Sequence, residues 1–480
     1  MSGGLLRGAR LAPGEAPVDL PVSDGVVGGD RGGEPVDLGG RLVLPGLWDN
    51  HVHFDQWALA QAGLDLSSAT SAAHAVRLIG EHLPTADTDV VIAHGFRDGL
   101  WPDSPTAGLL DAVAADRPVV ALSGDLHSGW FNTAALHRFS LAPHETGLLT
   151  ETEFMPIMND VQQVDPAVRG RRVDVAVRAA AARGVVGVTD FEIADNRAVW
   201  ARRIAAGTDR LRVRCGIWPQ WLDAALADGV RTGDVLPGTE GLATVGPLKV
   251  IVDGSLGTRT AYCHDPYPGG GHGVLSVSPE HLDDLMGRAG RGGLETAIHA
   301  IGDRACEQVL AAFAATGARG SVEHAQLVAE RDFPRFAELG VVASVQPAHV
   351  HDDVDLAEAY WPGRTGRAFP YGTLLSSGAS LVLGSDAPVA PLDPWLTLAA
   401  AVDRTLPDGR VWHPEHEIPF DIALAASTGG RTRVRTGDVA DLVVLDTDEI
   451  PSTGAELATT PVWGTMLAGR WTAGGPGADG

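Results

Sequence analysis

Two histidines separated by a single residue, His51 and His53, lie near the end of the segment PGLWDNHVHF. If this segment is a strand, its residues i and i+2 point to the same face, so the two imidazoles lie side by side. Adjacent imidazoles can supply half of a site for a divalent metal ion. His349 and His351 have the same spacing, but the first pair is favoured because it follows the run that predicts the first strand of a barrel.

Four further side chains able to bind or serve a metal ion lie near the ends of other apolar runs. A lone histidine on an apolar strand is more often a packed core residue, but these members all fall at matching strand ends, which favours ligation. In a barrel, the ends of the strands converge on the axis. Nitrogen and oxygen donors of this kind suit one or two divalent ions, with zinc as the first expectation. The six predicted ligands are His51, His53, Lys249, His299, His324 and Asp386.

Lys249 is the only lysine among the 36 basic residues of the chain. An ammonium group repels a metal ion, whereas a neutral amine can add carbon dioxide and become a carboxylate that bridges two metal ions. Arginine stays protonated and cannot react in this way. The sequence therefore predicts carbamylation of Lys249. The alternative is an unmodified lysine paired with Asp253.

The elements that must position these side chains follow a repeated pattern. Short β-type apolar runs alternate with helical stretches rich in Ala, Leu and Arg, several of which end in glycine, as helices commonly do. Eight strands alternating with helices predict an α/β fold, a (β/α)8 TIM barrel over residues 44–429. The eight runs begin at Leu42, Gly184, Arg210, Leu248, Leu294, Gly320, Val341 and Ser380.

Two parts of the chain fall outside this pattern. Residues 1–43 and 430–480 contain short strand-like pieces, and neither segment has enough apolar residues to fold alone. We therefore expect the two ends to pair into a small composite β-sandwich. Residues 58–183 interrupt the alternation after the first strand and contain two further strand-like runs, DVVIAHGF and PVVALSGD. An insertion there belongs to the face of a barrel where substrates bind, so it is predicted to cap the site.

Composition narrows the classes of partner. The 480 residues are 44% apolar and 20% charged, as in ordinary globular proteins. The formal net charge of −25 disfavours binding to nucleic acid or to an anionic membrane surface. Neither a sustained apolar run near the start nor an 18-residue apolar span is found, so we expect no signal peptide and no membrane span. Three scattered cysteines fit a reducing cytoplasm. The expected partner is a small-molecule substrate, and a homo-oligomer is compatible with the sequence.

At this point the chain resembles the amidohydrolase superfamily of metal-dependent hydrolases. The closer resemblance is to its YtcJ-like branch, amidohydrolase family 3, which includes N-substituted formamide deformylases. The resemblance implies a (β/α)8 barrel with a composite β-sandwich, a mono- or binuclear metal centre and hydrolysis of amide-like bonds. It also implies that the family's ligand positions fall on the six residues named above. The matching segments include PGLWDNHVHF, DRPVVALSGDLHSGWFNTAAL, LKVIVDGSLGTRTAY, IHAIGDRA, VEHAQLV, SVQPAH, LGSDAPV and ADLVVLD.

The mechanism expected from this site is hydrolysis by metal-activated water. A bound metal ion lowers the pKa of water to about 7 and polarises a carbonyl group. Asp386 is predicted to accept the water proton and return it to the leaving nitrogen, as general base and then general acid. His299 and His324 complete the predicted catalytic set. The alternative role for Asp386 is an N-cap of a following helix.

Four residues are predicted to contact the substrate. His127 lies in DLHSGW within the insertion, and the alternative is a surface histidine. Asp253 and Arg259 follow the fourth strand in DGSLGTR, where Arg259 could bind a carboxylate or carbonyl group or pair with Asp253. Gln346 ends the seventh strand and could donate a hydrogen bond to the substrate.

The ligands do not select the substrate. The same site could hydrolyse an ester, a lactone or a cyclic imide, or deaminate a base. A non-catalytic metal-binding homologue is the alternative outside the enzymes. A dinucleotide-cofactor enzyme is disfavoured because no G-x-G-x-x-G motif opens a helix after an early strand.

Overall fold

The computed structural model describes residues 4–29, 34–61, 63–86, 88–151, 153–161 and 164–476. Its first five strands are short, and the first four form one sheet in the order β3-β2-β1-β4. β1 pairs in parallel with β4, and the other pairs of this sheet are antiparallel. These strands are β1 (Gly4–Ala9), β2 (Val18–Ser23), β3 (Val26–Val27), β4 (Val36–Asp37) and β5 (Val43–Pro45).

The barrel begins at β6 (Leu47–Val52), which is followed by α1 (Phe54–Ala60). The run from Leu42 is therefore not one strand, as the sequence pattern suggested, but two. β5 pairs with a strand from the other end of the chain, and only β6 joins the barrel. Gly46 separates them, at a point where a Cβ would clash with Val186.

A separate five-stranded sheet follows α1, in the part of the chain where the alternating pattern is interrupted. Its order is β11-β10-β9-β8-β7, with β7, β8 and β9 parallel and β9, β10 and β11 antiparallel. We call residues 64–161 the cap. Its elements are β7 (Leu64–Asp65), α2 (Ala72–His82), β8 (Val91–Phe96), α3 (Ala107–Asp111), β9 (Val119–Ser123), β10 (Ser128–Phe131), α4 (Thr133–Arg138), β11 (Leu148–Thr150) and α5 (Met158–Val161).

The cap has an apolar core of its own, which includes Leu66, Ile79, Phe96 and Trp130. The helix α6 (Pro166–Ala182) does not share that core. Its buried residues belong to the cluster that surrounds the barrel strands: Val173, Ala176, Val177 and Ala180. The insertion predicted at 58–183 is therefore shorter in the structure, because α6 is the barrel helix that precedes the second barrel strand.

The remaining barrel elements alternate along the chain as predicted. They are β12 (Val185–Asp190), α7 (Asn196–Ala205), β13 (Arg212–Ile217), α8 (Pro219–Asp228), β14 (Ala243–Ile251), α9 (Pro279–Gly292), β15 (Thr296–Ala300), α10 (Asp303–Thr316), β16 (Gly320–His324), α11 (Phe333–Leu339), β17 (Val342–Val345), α12 (His349–Tyr360), α13 (Tyr371–Ser376), β18 (Ser380–Leu383), α14 (Pro394–Val402) and α15 (Phe420–Ala426). Within the described residues, single turns of 3-10 helix lie at Asp98–Leu100, Glu330–Asp332, Thr365–Arg367 and Pro414–His416.

Each of the eight predicted runs contributes one strand to a single parallel sheet, in the order β18-β17-β16-β15-β14-β13-β12-β6. This confirms the predicted barrel. Residues of β12 are buried along its whole length, as expected for a parallel strand covered on both faces. The helices between the strands are amphipathic. In α9, the Ser278 side chain caps the first turn, Gly293 ends the helix in a left-handed conformation, and one face is buried through Leu282, Leu285, Met286 and Ala289.

The sheet closes between its first and last strands at the end that carries the predicted ligands. The backbone N–H of Asp386 donates to the carbonyl of His51 (2.7 Å), and the N–H of His53 donates to the carbonyl of Ala387 (2.8 Å). The buried carboxylate of Asp49 accepts from the N–H groups of His51 and Ser385. These bonds bring β6 and the segment after β18 together directly beside the site.

The two ends of the chain form two sheets that pack on each other. The second sheet contains β19 (Leu442–Leu445), β20 (Val462–Leu467) and β21 (Arg470–Gly474), and α16 (Gly454–Ala458) lies between β19 and β20. Its order is β21-β20-β19-β5, all antiparallel. Residues from both sheets share one apolar cluster, among them Leu6, Val22, Val43, Leu442 and Met466. None of the helices in the described segments is long and apolar enough to cross a membrane.

Candidate metal centre and active site

Three potential ligand groups meet at the end of the barrel where the first strand is hydrogen-bonded to the segment after the last strand. His51 lies on β6, His324 ends β16, and Asp386 follows β18. One donor atom from each lies within 4.8 Å of the others, and all three residues are buried. Side chains more than 300 positions apart thus converge as the strand pattern predicted.

His51 is held by an acidic side chain that the sequence analysis did not include. Its Nδ1 lies 2.6 Å from Oε2 of Glu323, which is buried. A carboxylate only accepts hydrogen bonds when ionised, so Nδ1–H donates and the lone pair of Nε2 faces the site. Nε2 of His51 lies 3.4 Å from Nζ of Lys249 and 3.5 Å from Oδ1 of Asp386.

His53 and His299 lie on either side of this group. Nε2 of His53 is 3.4 Å from Oδ1 of Asp386, and its buried Nδ1 has no hydrogen-bond partner among the described residues. The ring of His299 is 4.5 Å from the ring of His324. All six predicted ligands therefore lie in one cluster at the base of a cavity.

Burial sets the protonation of the nitrogen donors. It is the largest cause that lowers the pKa of His51, His299 and His324 well below the ordinary value, and the positive field of Lys249 adds to it. The three imidazoles are therefore neutral at physiological pH, which is the state that binds a metal ion. Burial also lowers the pKa of Lys249 to about 8.

The carboxylate of Asp386 stays ionised. Burial by itself raises its pKa, but the hydrogen bond from His53 and the positive fields of His53, His349 and Lys249 outweigh that effect and lower the pKa. Neutral imidazoles, a buried carboxylate and an unpartnered imidazole nitrogen together form a donor set suited to a divalent cation.

Two of these residues adopt a backbone conformation that non-glycine residues rarely use. φ is +73° at His324 and +58° at Asp386, both just where a barrel strand ends. Such conformations cost of order 1–3 kcal/mol each and persist where surrounding structure imposes them. The hydrogen bonds that close the barrel provide this constraint at Asp386.

The cavity above the cluster has a free volume of about 120 Å³ and is lined by both the barrel and the cap. The barrel contributes the predicted ligands and the loop after β14. The cap contributes its loop between β9 and β10, the segment that follows β8, and Met155 and Met158. Lining residues outside the ligand set include Arg97, Asp125, His127, Leu256, Asp353 and Val389.

Of the four predicted substrate contacts, only His127 lines the cavity. Its Nδ1 lies 3.0 Å from both carboxylate oxygens of Glu151. Asp253 is fully buried and accepts hydrogen bonds from the backbone N–H groups of Tyr262, Ile301 and Gly302. Asp253 does not line the cavity. Its carboxylate holds two loops together and lies 3.4 Å from Nε2 of the predicted ligand His299.

The structure places Arg259 and Gln346 outside the lining of the cavity as well. Arg259 is exposed, and its guanidinium lies 5.5 Å from the centre of the Tyr360 ring, outside the cavity lining. Gln346 is buried, with Oε1 2.9 Å from Nδ1 of His324. Gln346 therefore orients His324 rather than the substrate. The alternative pairing of Lys249 with Asp253 is not found among the ion pairs of the described residues.

Three residues were missed by the sequence analysis or left without a role. Glu323 immediately precedes His324, and Glu151 lies in the cap far from any predicted ligand. His349 begins α12, with Nε2 3.9 Å from Oδ2 of Asp386, and it lines the cavity. The second histidine pair signalled His349, but no local pattern distinguished Glu151 or Glu323 from surface acids.

Comparisons with known proteins identify relatives of this chain. A model of the amidohydrolase family matches residues 34–473. Amidohydrolase YtcJ of Bacillus subtilis (strain 168) is 26% identical to this chain, and the match covers 96% of each protein. The N-substituted formamide deformylase of Arthrobacter pascens is 25% identical over 91% of this chain and 89% of its own.

A solved structure is similar over almost its whole length. An uncharacterized metal-dependent hydrolase from Pyrococcus horikoshii OT3 superimposes with a TM-score of 0.77 at 25% identity, over 95% of this chain and 99% of its own.

Proposed function

The chain belongs to the amidohydrolase family. We propose that it hydrolyses a non-peptide carbon–nitrogen bond, of the amide or formamide kind, in a small-molecule substrate. That the protein is a hydrolase follows from the family and from its metal-dependent hydrolase neighbour. The formamide deformylase relative supports the choice of bond. An ester, lactone or cyclic imide is the alternative substrate for the same residues.

One observation carries the proposal. Donor atoms of His51, His324 and Asp386 lie within 4.8 Å of one another at the base of a cavity. Burying a polar side chain costs free energy because the group loses its hydration. Packing of the core alone therefore gives no reason for these three polar side chains to meet. Their convergence is accounted for if they bind a cation beside the substrate.

His51, His53, Lys249, His299, His324 and Asp386 would hold one or two divalent ions, and zinc is proposed because neutral imidazoles and carboxylates are its usual nitrogen and oxygen ligands. When bound, such an ion polarises a carbonyl group and makes water more acidic. Glu323 and Gln346 keep His51 and His324 in the orientation that presents a ring nitrogen to the ion.

Lys249 is proposed to be carbamylated. Its pKa of about 8 leaves a substantial neutral fraction near pH 7–8, and only the neutral amine attacks carbon dioxide. The reaction forms one nitrogen–carbon bond and releases one proton, so that a buried amine becomes a carboxylate. That carboxylate would lie beside the imidazole of His51, whose Nε2 is 3.4 Å from Nζ of Lys249.

Asp386 is proposed to move the proton. Its carboxylate lies within 3.4–3.9 Å of ring nitrogens of His51, His53, His324 and His349, which restrict its position. In the proposed reaction, one carboxylate oxygen accepts a proton from the attacking water and gives it to the leaving nitrogen. His324 borders this carboxylate and His299 packs against the ring of His324, and His127 is proposed to face the substrate from the cap.

A matched substrate panel tests the bond that is cleaved. Purified protein is assayed for metal content and then with N-substituted formamides, N-acyl amines, the isosteric esters, lactones and cyclic imides. The expected result is stoichiometric metal and a higher kcat/KM for the formamide or amide than for its isosteric ester. Faster ester or imide cleavage selects the alternative substrate. Bound metal with no turnover of any class supports a non-catalytic homologue.

Replacing Lys249 with arginine tests the carbamate. The guanidinium keeps the positive charge but cannot add carbon dioxide, so we expect a lower metal content and loss of turnover. Mass spectrometry under native conditions, with and without bicarbonate, checks the modification directly. Arg77→Lys on the exposed face of α2 is the control, because it makes the reverse exchange away from the site. An active, metal-loaded K249R protein contradicts the proposal.

A further inference from the structure

The cap loop between β9 and β10 brings one imidazole into the cavity of the barrel. His127 lines this cavity and is only 7% exposed. Its ring lies 6.0 Å from that of His299, centre to centre. Nδ1 contacts Glu151, and no hydrogen bond within the described residues engages Nε2. Nε2 is therefore the ring atom left for a molecule in the cavity.

Glu151 determines which nitrogen of His127 carries the proton. Both carboxylate oxygens lie 3.0 Å from Nδ1. Since an ionised carboxylate only accepts, Nδ1–H donates to it. With Nδ1 engaged, Nε2 can accept from an amide N–H when the ring is neutral, or donate to a carbonyl oxygen when the ring is charged. Either contact requires the ring to be turned as Glu151 holds it.

The barrel in turn holds Glu151. Its Oε1 accepts hydrogen bonds from the hydroxyls of Thr258 (3.0 Å) and Thr260 (2.5 Å), both on the loop that follows β14. Gly254 makes this approach possible, because a Cβ there would lie 2.7 Å from Oε1 of Glu151. β14 also carries Lys249. The cap imidazole is thus tied to the strand of a predicted ligand.

A second set of bonds fixes the same cap loop. Asp125 accepts from the hydroxyl of Ser123 and from the backbone N–H of His127 through Oδ1, and from the hydroxyl of Ser255 through Oδ2. Ser255 belongs to the loop after β14. The backbone of His127 is therefore anchored independently of the Glu151 side chain, by Asp125 and by the backbone N–H of Glu151, which donates to the carbonyl of His127 (3.0 Å). A side-chain change at Glu151 thus acts on the ring of His127 more than on the loop.

We infer that Glu151 is a positioning residue of the reaction, which holds the Nε2 of His127 toward the substrate and thereby makes the cap part of the active site. This inference rests on the proposed hydrolysis of a carbon–nitrogen bond. It adds a group of the cap to the barrel residues, and it assigns the cap a role in turnover besides covering the cavity.

Kinetics of Glu151→Gln and Glu151→Asp test the inference. Outer-shell partners of this kind affect activity by about 10–100-fold, so we expect a loss of that size in kcat/KM for E151Q, mainly in kcat, with partial recovery in E151D. Glu153→Gln makes the same exchange at an exposed carboxylate two positions along the chain and should keep wild-type activity. Metal content is expected to stay unchanged in all three variants.

A double-mutant cycle separates positioning from a general structural role. In a His127→Gln background, E151Q is expected to change kcat/KM by no more than about twofold, within the usual error of additivity. If E151Q has its full effect in that background, Glu151 does not act through His127 and the inference is overturned. Full activity of the single variant overturns it as well.

A crystal structure of E151Q without substrate decides the inference independently of activity. The expected result is a His127 ring that is turned or disordered, with Asp125 and its loop unchanged, while the ring in E153Q matches the wild type. An unaltered ring in E151Q overturns the inference. If the wild type cleaves nothing in the substrate panel, the proposed function fails, and the ring orientation still shows whether Glu151 positions His127.

Discussion

At the scale of single residues, the site is built from groups whose charge is controlled by burial. The imidazoles of His51, His299 and His324 are neutral because burial disfavours their charged forms. Asp386 remains ionised because His53 and its other neighbours offset that same penalty. Neutral nitrogen donors thus lie beside an ionised oxygen donor in one pocket.

Asp386→Asn is expected to abolish proton transfer while leaving the fold intact. The amide has nearly the same shape as the carboxylate but cannot accept the proton of the attacking water. General acid–base catalysis contributes about 10²–10⁴-fold, so kcat should fall by that factor. Initial rates on the best substrate of the panel, together with metal analysis, measure the effect. Asp421→Asn, an exposed carboxylate on α15, is the matched control. Near-normal turnover of D386N means that another group moves the proton.

His94 gives a pH dependence of stability that is separate from the site. Burial lowers its pKa from the ordinary 6.5 to about 4, and its buried Nδ1 has no hydrogen-bond partner among the described residues. Because the unfolded chain binds the proton more tightly, this histidine stabilises the fold above pH 6.5, and that contribution is lost as the pH falls toward 4.

Between pH 7 and pH 5, protonation of His94 is expected to lower the free energy of unfolding by about 2 kcal/mol. Urea unfolding at both pH values measures it. His94→Gln should lose that much less stability between the two pH values than the wild type, whatever its stability at pH 7. His137→Gln, on the exposed face of α4, should keep the wild-type pH dependence. If the free energy of unfolding changes equally with pH in the wild type and in H94Q, His94 is not the source of this pH dependence.

At the scale of elements, strand ends position the site, and the cap depends on a few buried polar side chains. Asn132 is fully buried. Its Oδ1 accepts from the N–H groups of Val119 and Ala135, and its Nδ2 donates to the carbonyls of Ala114 and Arg117. One side chain thus begins α4 and ties it to β9 and to the loop after α3.

Asn132→Ala is therefore expected to destabilise the cap. It leaves two buried N–H groups and two buried carbonyls without this partner, and each unsatisfied group costs about 1–3 kcal/mol. We expect a loss of at least about 4 kcal/mol in the free energy of unfolding, measured by urea denaturation with tryptophan fluorescence. His137→Ala, on the exposed side of the same helix, serves as the control. A change of only a few tenths of a kcal/mol would show that α4 does not depend on this cap.

At the scale of the whole molecule, the barrel is joined to two other parts, the sheets from the chain ends and the cap, which differ in their relation to the site. The sheets from the two chain ends share an apolar cluster remote from the ligands, whereas the cap contributes to the cavity. Barrel closure joins β6 to the segment after β18, so the first and last barrel strands supply His51 and Asp386 at one point. Removing the proposed metal ion should therefore affect the stability of the complete fold.

Chelation tests this expectation. An ion that binds only the folded state stabilises it by about 2.7 kcal/mol when its concentration is 100 times its Kd. Treatment with a chelator should lower both Tm and activity, and addition of zinc should restore both. Calcium, which prefers oxygen ligands, is the control ion and should restore neither. A metal-free preparation with unchanged Tm and turnover would contradict a structural and catalytic role for the ion.

Much of this molecule is determined by local patterns in the sequence. The alternation of apolar runs and helices predicted all eight barrel strands, and strand ends identified the six side chains that meet at the cavity. These inferences succeed because a parallel barrel brings every strand end to one face, whatever the sequence distance between strands.

Contacts between distant segments were decided only by the tertiary structure. Glu323, Gln346 and Glu151 lie within hydrogen-bond distance of histidines at the site. Asp253 accepts from three backbone N–H groups and lies 3.4 Å from Nε2 of His299. The tertiary structure also decided that the run from Leu42 is divided between two sheets. The period of a strand tells which face a side chain is on, but hydrogen-bond partners depend on which segments pack side by side, and that is set by the closed fold.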